Sequence, residues 1–342
     1  IYLYLIVSLF YYLLLTSFFG DVPFYEEYVQ DRETLERVRR LPRMSAVETR
    51  ATLIAELKDC VGAFPEGRSY DLGLQRAGSA FCYMVIAKMA LWNKDWDNAL
   101  QALLKLEEMY GDLTEEAYPL SDLAFRVKNT KESIFEVQHT YTPGGLQYYS
   151  NYAAVLMPYP LRKDDASGTV GFDGKADDMS TWVSIPEIGT ECIAWQPMRA
   201  NTYLYNGLYI RGGRDRRTEM NLVWEWNGKS FSRCWMGPKF WCPGMYNTYD
   251  SNNYPIFRYA DAVLMLAEAY NATGEYEKAI EYLNKVKTRA GISGYGAFTT
   301  ADKLLEEIQM ERGRELLGEF HRKFDLVRWG IWYEQTLANS QN

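Results

Sequence analysis

The chain has 342 residues, 47% of them hydrophobic, and 45 acidic against 37 basic side chains give a formal net charge of −8. That length buries a sizeable core, as one large domain or two smaller ones, while an acidic balance without a basic stripe argues against a nucleic-acid partner. Two histidines, and five cysteines without CxxC spacing, speak against a histidine-based triad, a zinc site or a thioredoxin-like redox pair.

The first run, IYLYLIVSLFYYLLLTSFF, carries no charge over 19 residues and is long enough to cross a bilayer. Its hydroxyls, on Tyr2, Tyr4, Ser8, Tyr11, Tyr12, Thr16 and Ser17, lean toward a core helix whose polar tips find partners. The run alone leaves both readings open. Arg32, Arg37, Arg39, Arg40 and Arg43 follow, interleaved with Asp31, Glu33 and Glu36, which reads as a solvated helix face.

Residues 46–60 carry helical periodicity, with Val47, Leu53, Ile54 and Leu57 expected inward and Ser45 and Glu48 spaced as a capping box. AKMALWNKDWDNALQALLKL (87–106) and AEAYNATGEYEKAIEYLNKV (267–286) align without gaps, pairing Ala87 with Ala267, Ala99 with Ala279, Leu103 with Leu283 and Trp96 with Tyr276. Small residues twelve apart let two antiparallel helices approach across a short turn, the tetratricopeptide pattern, with Gly274 suited to the second turn. The copies stand 180 residues apart, whereas tandem repeats recur every 34 or so. Helix pairs brought together around an insertion are therefore expected, and a free-standing repeat adaptor is not.

Residues 111–253 hold 13 of the 25 glycines, 8 of the 12 prolines and 6 of the 10 tryptophans. Helical period is absent there, and turn pairs such as Pro143-Gly144 and Asn227-Gly228 punctuate short runs. This predicts a loop-and-short-strand insertion packed on helices. Cys234 and Cys242, within it, could bridge or stand as free buried thiols. A last helix is expected over 300–317, begun at Thr299 or Thr300, with Leu304, Leu305, Ile308, Leu316 and Leu317 on one side. The stretch GEFHRKFDLVRWG (318–330) then mixes charges with aromatics. Glu311, Glu315 and Glu319 lie four apart and Arg322, Asp325 and Arg328 three apart, suited to charge-assisted hydrogen bonds. Phe324 and Trp329 are expected on the other side. Acids with arginines in reach stay ionised, so this reads as a scaffold lock rather than an acid–base site.

NYPIFRYADAVLMLAEAYNATGE followed by MERGRELLGEFHRKFDLVRWG resembles the C-terminal signature of the SusD/RagB family of nutrient-binding surface lipoproteins of the Bacteroidetes outer membrane. SFFGDVPFYEE, LPRMSAVETRATLIAELKDCVGAFPE and RAGSAFCYMVIAKMALWNKDWDNAL resemble its earlier blocks in the same order, so nearly the whole chain is covered, the family's first helical segments being absent. Departures occur: Glu311-Arg312-Gly313 replaces the family's Glu-Arg-Arg, Lys323 stands where an aromatic follows the His-Arg pair, Gly318 and Phe320 are exchanged, and the opening helix is more apolar than the family norm, which commonly carries an Arg there. They bear on local packing.

The resemblance implies a single mainly helical domain, 1–342, built of tetratricopeptide-like helix pairs. An N-terminal helical part (1–110) and a C-terminal one (254–342) would hold the aromatic-rich insertion (111–253). It also implies that the first run is a body helix ending at Gly20. The implied function is non-catalytic capture of glycans, or alternatively oligopeptides, for delivery to a SusC-like TonB-dependent outer-membrane transporter. The protein would sit at the cell surface, lipid-anchored through an N-terminal cysteine that this chain does not include. No cofactor, metal or nucleic acid is called for.

Helices being scaffold, recognition is expected on the insertion, since loops on a rigid frame carry binding. Sugars alternate apolar C–H faces with hydroxyls, so aromatic faces stack on them while polar side chains bind the rim. Candidate platforms are Trp182, Trp195, Trp235, Trp241, Tyr148, Tyr149 and Tyr203. Candidate polar partners are Asn151, Gln196, Asn201, Arg211 and Asp250. Adjacent acids such as Asp164-Asp165 and Asp177-Asp178 point apart in a loop and do not suit glycoside hydrolysis.

Overall fold

A computed structural model describes residues 2–73, 77–122, 125, 127–156, 215–226, 229–242, 245 and 247–340. Helix α1 (Tyr2–Phe19) is followed by α2 (Arg32–Val38), α3 (Ala46–Cys60), α4 (Ser79–Asn93) and α5 (Trp96–Tyr110). Short elements come next: α6 (Tyr152–Leu156) and α7 (Thr218–Asn221). The chain closes with α8 (Tyr259–Ala272), α9 (Tyr276–Arg289), α10 (Ala301–Glu315), α11 (Arg322–Arg328) and α12 (Trp332–Ser340). The fold is mainly helical.

Strands are short and pair two by two, all antiparallel: β1 (Val22–Pro23) with β2 (Arg43–Met44), and β3 (Ser133–Val137) with β8 (Tyr254–Arg258). The other two pairs are β4 (Thr140–Tyr141) with β5 (Gln147–Tyr148), and β6 (Leu222–Trp226) with β7 (Lys229–Met236).

The two repeat copies form the pairs α4–α5 and α8–α9. Their turns match at an offset of 180 residues. Lys94 (φ +56°) and Gly274 (φ +85°) both take the left-handed conformation. Asp95 N donates to Ala90 O at 2.9 Å, and Glu275 N donates to Tyr270 O at 2.8 Å. Such left-handed termination satisfies the carbonyls that a helix end would otherwise orphan. Ala87, Ala99, Ala267 and Ala279 are fully buried, as are Leu103 and Leu283, so the small side chains set the close approach of the paired helices. The α5 and α8 helices pack on each other, fusing the pairs into one core with α3 and α1.

Helix α1 belongs to that core through Leu9, Tyr12 and Leu13. Thr16 and Ser17 return their hydroxyls to Tyr12 O and Leu13 O at 2.8 and 2.7 Å. Arg50, from α3, donates Nη2 to Thr16 O at 2.9 Å and stacks on Trp92 at 4.6 Å. It thus satisfies a carbonyl near the helix end. Among the described residues no helix is long and apolar enough to cross a membrane. The capping box of α3 forms as the spacing predicts, Glu48 N donating to Ser45 Oγ at 3.2 Å and Ser45 Oγ to Glu48 Oε2 at 2.8 Å. Val47, however, is 58% exposed, in the first turn of the helix.

The C-terminal charges are buried and paired in two linked clusters. In the first, Arg312 donates Nε to Asp325 Oδ2 at 2.8 Å and holds Asp261 Oδ1 at 2.8 Å, while Lys88 holds Asp261 Oδ2 at 2.5 Å. Arg328 bridges Asp325 and Glu268. In the second, Glu315 receives Arg217, Arg258 and Arg289 at 2.9, 2.7 and 2.5 Å. Glu319 receives Arg258 and Lys239 at 2.7 and 2.6 Å. Burial alone would push Glu315 up, but Arg289, Arg258 and Arg217 hold it well below the usual carboxylate range. Asp325 is likewise buried and is held at about 2 by Arg312 and Arg328. The charges are pinned. Trp329 departs from expectation: its indole Nε1 donates to Glu268 Oε1 at 2.9 Å, placing the ring inside the charged network rather than opposite it.

Cys234 and Cys242 are free and buried.

Candidate functional site

The described part of the aromatic-rich segment brings three tyrosines together, Tyr141, Tyr149 and Tyr249. Strands β4 and β5 form a hairpin in register Thr140↔Tyr148 and Tyr141↔Gln147. The hairpin closes through Thr142 N to Leu146 O at 2.8 Å and Gly145 N to Thr142 O at 2.9 Å, with Gly144 at φ +73° supplying the left-handed turn residue. Immediately beyond it, Ser150 and Asp250 exchange two backbone hydrogen bonds, each of 2.9 Å. That bridge carries Tyr249 to the hairpin across a hundred residues of sequence. Tyr149 and Tyr249 meet with ring centroids 4.3 Å apart, Tyr141 and Tyr249 at 5.0 Å, and Tyr141 and Tyr149 edge-on at 5.9 Å. Tyr148, next along, is 70% exposed and Tyr149 is 40% exposed. The result is a solvent-facing group of phenol rings on a pinned hairpin.

The pinning explains several residues that sequence reasoning read as ligand contacts. Asp250 is fully buried. Its Oδ1 accepts Asn252 N at 2.9 Å and its Oδ2 accepts Ala153 N at 3.0 Å. Burial pushes its carboxyl up and the two N–H bonds oppose that. Asp250 is thus the staple of the bridge and not a rim residue. Asn151 is occupied in the same way, donating Nδ2 to Thr248 O at 2.7 Å. Trp241 is only 1% exposed, and its Nε1 donates to Met236 O at 3.1 Å. A ring enclosed on both faces has none to offer a sugar, so Trp241 is corrected from platform to core.

Trp182, Trp195, Tyr203, Gln196, Asn201 and Arg211 lie outside the described residues, as do Asp164, Asp165, Asp177 and Asp178. Trp235 is described only in its backbone, opposite Val223 on β6. Sequence reasoning missed Tyr141 and Tyr249. Tyr141 stands just before the Pro143-Gly144 turn, as a strand-end aromatic would. Tyr249 gives no local sign, because only the Ser150–Asp250 bridge brings it to the others.

A larger concavity, about 440 Å³, lies among α1, α4 and α11 and is lined by Phe10, Leu14, Phe18, Trp92, Phe320 and Phe324. Of the charges at its edge, Lys88 pairs with Asp261, Asp325 with Arg328 and Glu319 with Lys239. Its lining is mostly apolar, with Lys323 and His321 among its few polar groups. The tyrosine group, with Tyr148 and Tyr149 exposed, is the better match for a ligand of alternating character.

Comparison with known proteins adds a family. The SusD family model matches residues 242–342. SusD-like protein P25 of Formosa agariphila is 23% identical over 93% of this chain and 61% of its own length. SusD-like protein P38 of the same organism is 37% identical over 118 residues, 26% of this chain and 24% of that protein. Surface glycan-binding protein A from Bacteroides uniformis superposes with a TM-score of 0.65 at 25% identity, covering 96% of this chain and 66% of its own. A laminarin-binding SusD-like protein gives a TM-score of 0.71 at 20% identity, covering 98% and 71%. The chain thus spans less than two thirds of the length of either curated relative.

Proposed function

We propose that this chain is a member of the SusD/RagB family and a non-catalytic binding protein that captures oligosaccharides at the cell surface and passes them to a SusC-like TonB-dependent transporter. The whole chain acts as one domain in this reading, with the helix pairs as frame and the aromatic segment as binding surface. Family membership makes a carbohydrate the first ligand to test, and the names of two structural relatives, a surface glycan-binding protein and a laminarin-binding protein, point the same way.

The observation that carries the reading is the tyrosine group. The rings of Tyr141, Tyr149 and Tyr249 gather at one hairpin, with Tyr148 exposed beside them. Exposed rings held by backbone hydrogen bonds lose little freedom on binding, so more of the stacking energy appears as affinity. Trp182, Trp195 and Tyr203 are proposed as further contacts, with Gln196, Asn201 and Arg211 on hydroxyls. Surface display through a lipid anchor on the complete protein belongs to the same proposal.

Affinity electrophoresis against a panel of polysaccharides, paired with calorimetry against mixed oligopeptides, tests the ligand class. Retardation by at least one polysaccharide is expected. No retardation by any glycan together with saturable heat from peptides would transfer the function to the oligopeptide alternative.

A further inference from the structure

A second concavity, separate from the tyrosine hairpin, lies between the turn at 68–73 and strand β3. It encloses about 200 Å³ and is lined by Tyr70, Asn129, Glu136 and Gln138 among others. We propose that this cleft is a second carbohydrate subsite, sized for a single sugar ring. The proposal rests on the reading of the chain as a glycan binder.

Glu136 is the first argument. It is only 7% exposed, yet among the described residues it forms no ion pair, unlike Asp261, Glu311, Glu315, Glu319 and Asp325. The nearby guanidiniums of Arg258 and Arg289 are committed to Glu132 and Glu315. Asn129 N and Asn253 Nδ2 donate to Glu136 at 2.9 and 2.8 Å, and both bonds fall on Oε2. Oε1 accepts nothing among the described residues. An ionised carboxylate has about four acceptor sites, so this one keeps room for donors from a ligand. Neutral hydroxyls suit an anion embedded in amides: they donate without bringing a charge that the cleft would have to desolvate.

The amides beside it are arranged to read hydroxyls of either sense. Asn129 Nδ2 donates to Gln138 Oε1 at 3.0 Å and Gln138 Nε2 donates to Asn129 Oδ1 at 2.7 Å, a reciprocal pair. The pair leaves Asn129 a second N–H and a second lone pair. Asn129 sits at φ +50°, a left-handed conformation that costs energy for a residue with a side chain. That backbone turn is what aims its N–H at Glu136 and its amide across Gln138.

The apolar half of the recognition is Tyr70. It is 49% exposed, but its neighbour Ser69 is buried and donates Oγ to Ile134 O on β3 at 2.9 Å. The pin holds the Tyr70 ring beside the cleft, where it can cover the C–H face of a sugar whose hydroxyls meet Glu136, Asn129 and Gln138.

Saturation-transfer NMR with the methyl glycosides of glucose, galactose, mannose and xylose tests this on the whole chain. Three variants are compared with the parent: Tyr70→Ala, Glu136→Gln, and Tyr148→Ala/Tyr149→Ala. Transfer to at least one glycoside is expected in the parent and in the double tyrosine variant, with a loss of tenfold or more in Tyr70→Ala and in Glu136→Gln. Tyr70 is exposed, so its variant keeps the fold even if Glu136→Gln does not. Transfer abolished by the double variant and untouched by Tyr70→Ala would overturn the cleft while leaving the hairpin reading intact. Transfer that survives the double variant but not Tyr70→Ala supports the cleft, even where polysaccharide retention at the hairpin fails. No transfer to any of the four glycosides overturns the proposal.

Discussion

Arg258, the last residue of β8, grips Glu319 with two parallel bonds: Nε to Oε2 at 2.7 Å and Nη2 to Oε1 at 2.9 Å. The same guanidinium reaches Glu132 and Glu315, so one side chain ties the strand before α8 to the segment between α10 and α11. Both partners are buried. Truncating Arg258 takes one of two cations from Glu319 and one of three from Glu315, and breaking a buried pair costs up to about 3–5 kcal/mol. Arg258→Ala is expected to lower the unfolding free energy by that order, measured by urea denaturation. Arg258→Lys should recover only part, because an ammonium cannot make the paired fork. A loss below 1 kcal/mol would contradict the lock.

His321 gives the molecule a pH dependence above the carboxylate range. Burial pushes its imidazole from 6.5 down to about 4 in the folded state, and Lys88 adds to that against the opposing pull of Asp261, Glu319 and Asp325. Below pH 6.5 the unfolded chain takes up a proton that the folded chain refuses. Stability from this group is therefore full above pH 6.5 and is lost as the pH falls toward 4. From pH 7 to pH 5 the loss is on the order of 2 kcal/mol. Thermal melts of parent and His321→Gln across that range check it: the variant's slope should be shallower. Equal slopes would contradict the assignment. Asp325, held at about 2, adds a further loss only below about pH 4.

The helix pairs depend on small residues. Ala99 and Ala279 are fully buried at equivalent places in the two repeats. Adding three carbons there forces the helices apart, and overpacking of this kind costs about 1–3 kcal/mol. Ala99→Leu and Ala279→Leu should each lower the midpoint of denaturation by a comparable amount. A neutral result at either site would mean that the repeat interface is looser than its burial indicates.

Gly318 is where the family's order of aromatic and glycine is exchanged. It takes φ +76°, and a Cβ there would fall 2.4 Å from the Phe240 ring. Both strain and clash oppose a side chain, so Gly318→Ala should destabilise by more than about 1 kcal/mol, read from the same urea titration. Phe320, at φ +60° and half exposed, holds a left-handed conformation that glycine would take freely. Phe320→Gly is therefore expected to cost less than a typical aromatic truncation of about 3–5 kcal/mol.

How far sequence reasoning reached follows from the range of the interactions involved. The repeat helices, the α3 cap at Ser45 and the start of α10 at Thr300 rest on contacts within a turn or two. Periodicity and capping chemistry expose such contacts directly. The charge lock was legible in kind, because acids and arginines at helical spacing demand partners. Arg217, Arg258 and Arg289 as those partners were not, since they arrive from three distant elements. Trp329 was misread for the same reason: Glu268, which holds its indole, lies on another helix. At the site, Tyr148 and Tyr149 were legible as exposed aromatics in a turn-rich stretch. Trp241 was not distinguishable from them by composition. Its burial depends on packing that no local pattern records. Asp250 carried a misleading signal, since a lone acid beside tyrosines reads as a ligand contact until its bonds to Ala153 and Asn252 are seen.

The most direct test of the central claim compares polysaccharide retention, laminarin included in the panel, by the parent chain and by Tyr148→Ala/Tyr149→Ala. Stacking on each ring is worth about 0.5–1.5 kcal/mol. A polysaccharide that retains the parent is therefore expected to bind the double variant about tenfold more weakly, with the melting temperature unchanged. Undiminished retention of the double variant would contradict the tyrosine hairpin as the binding surface.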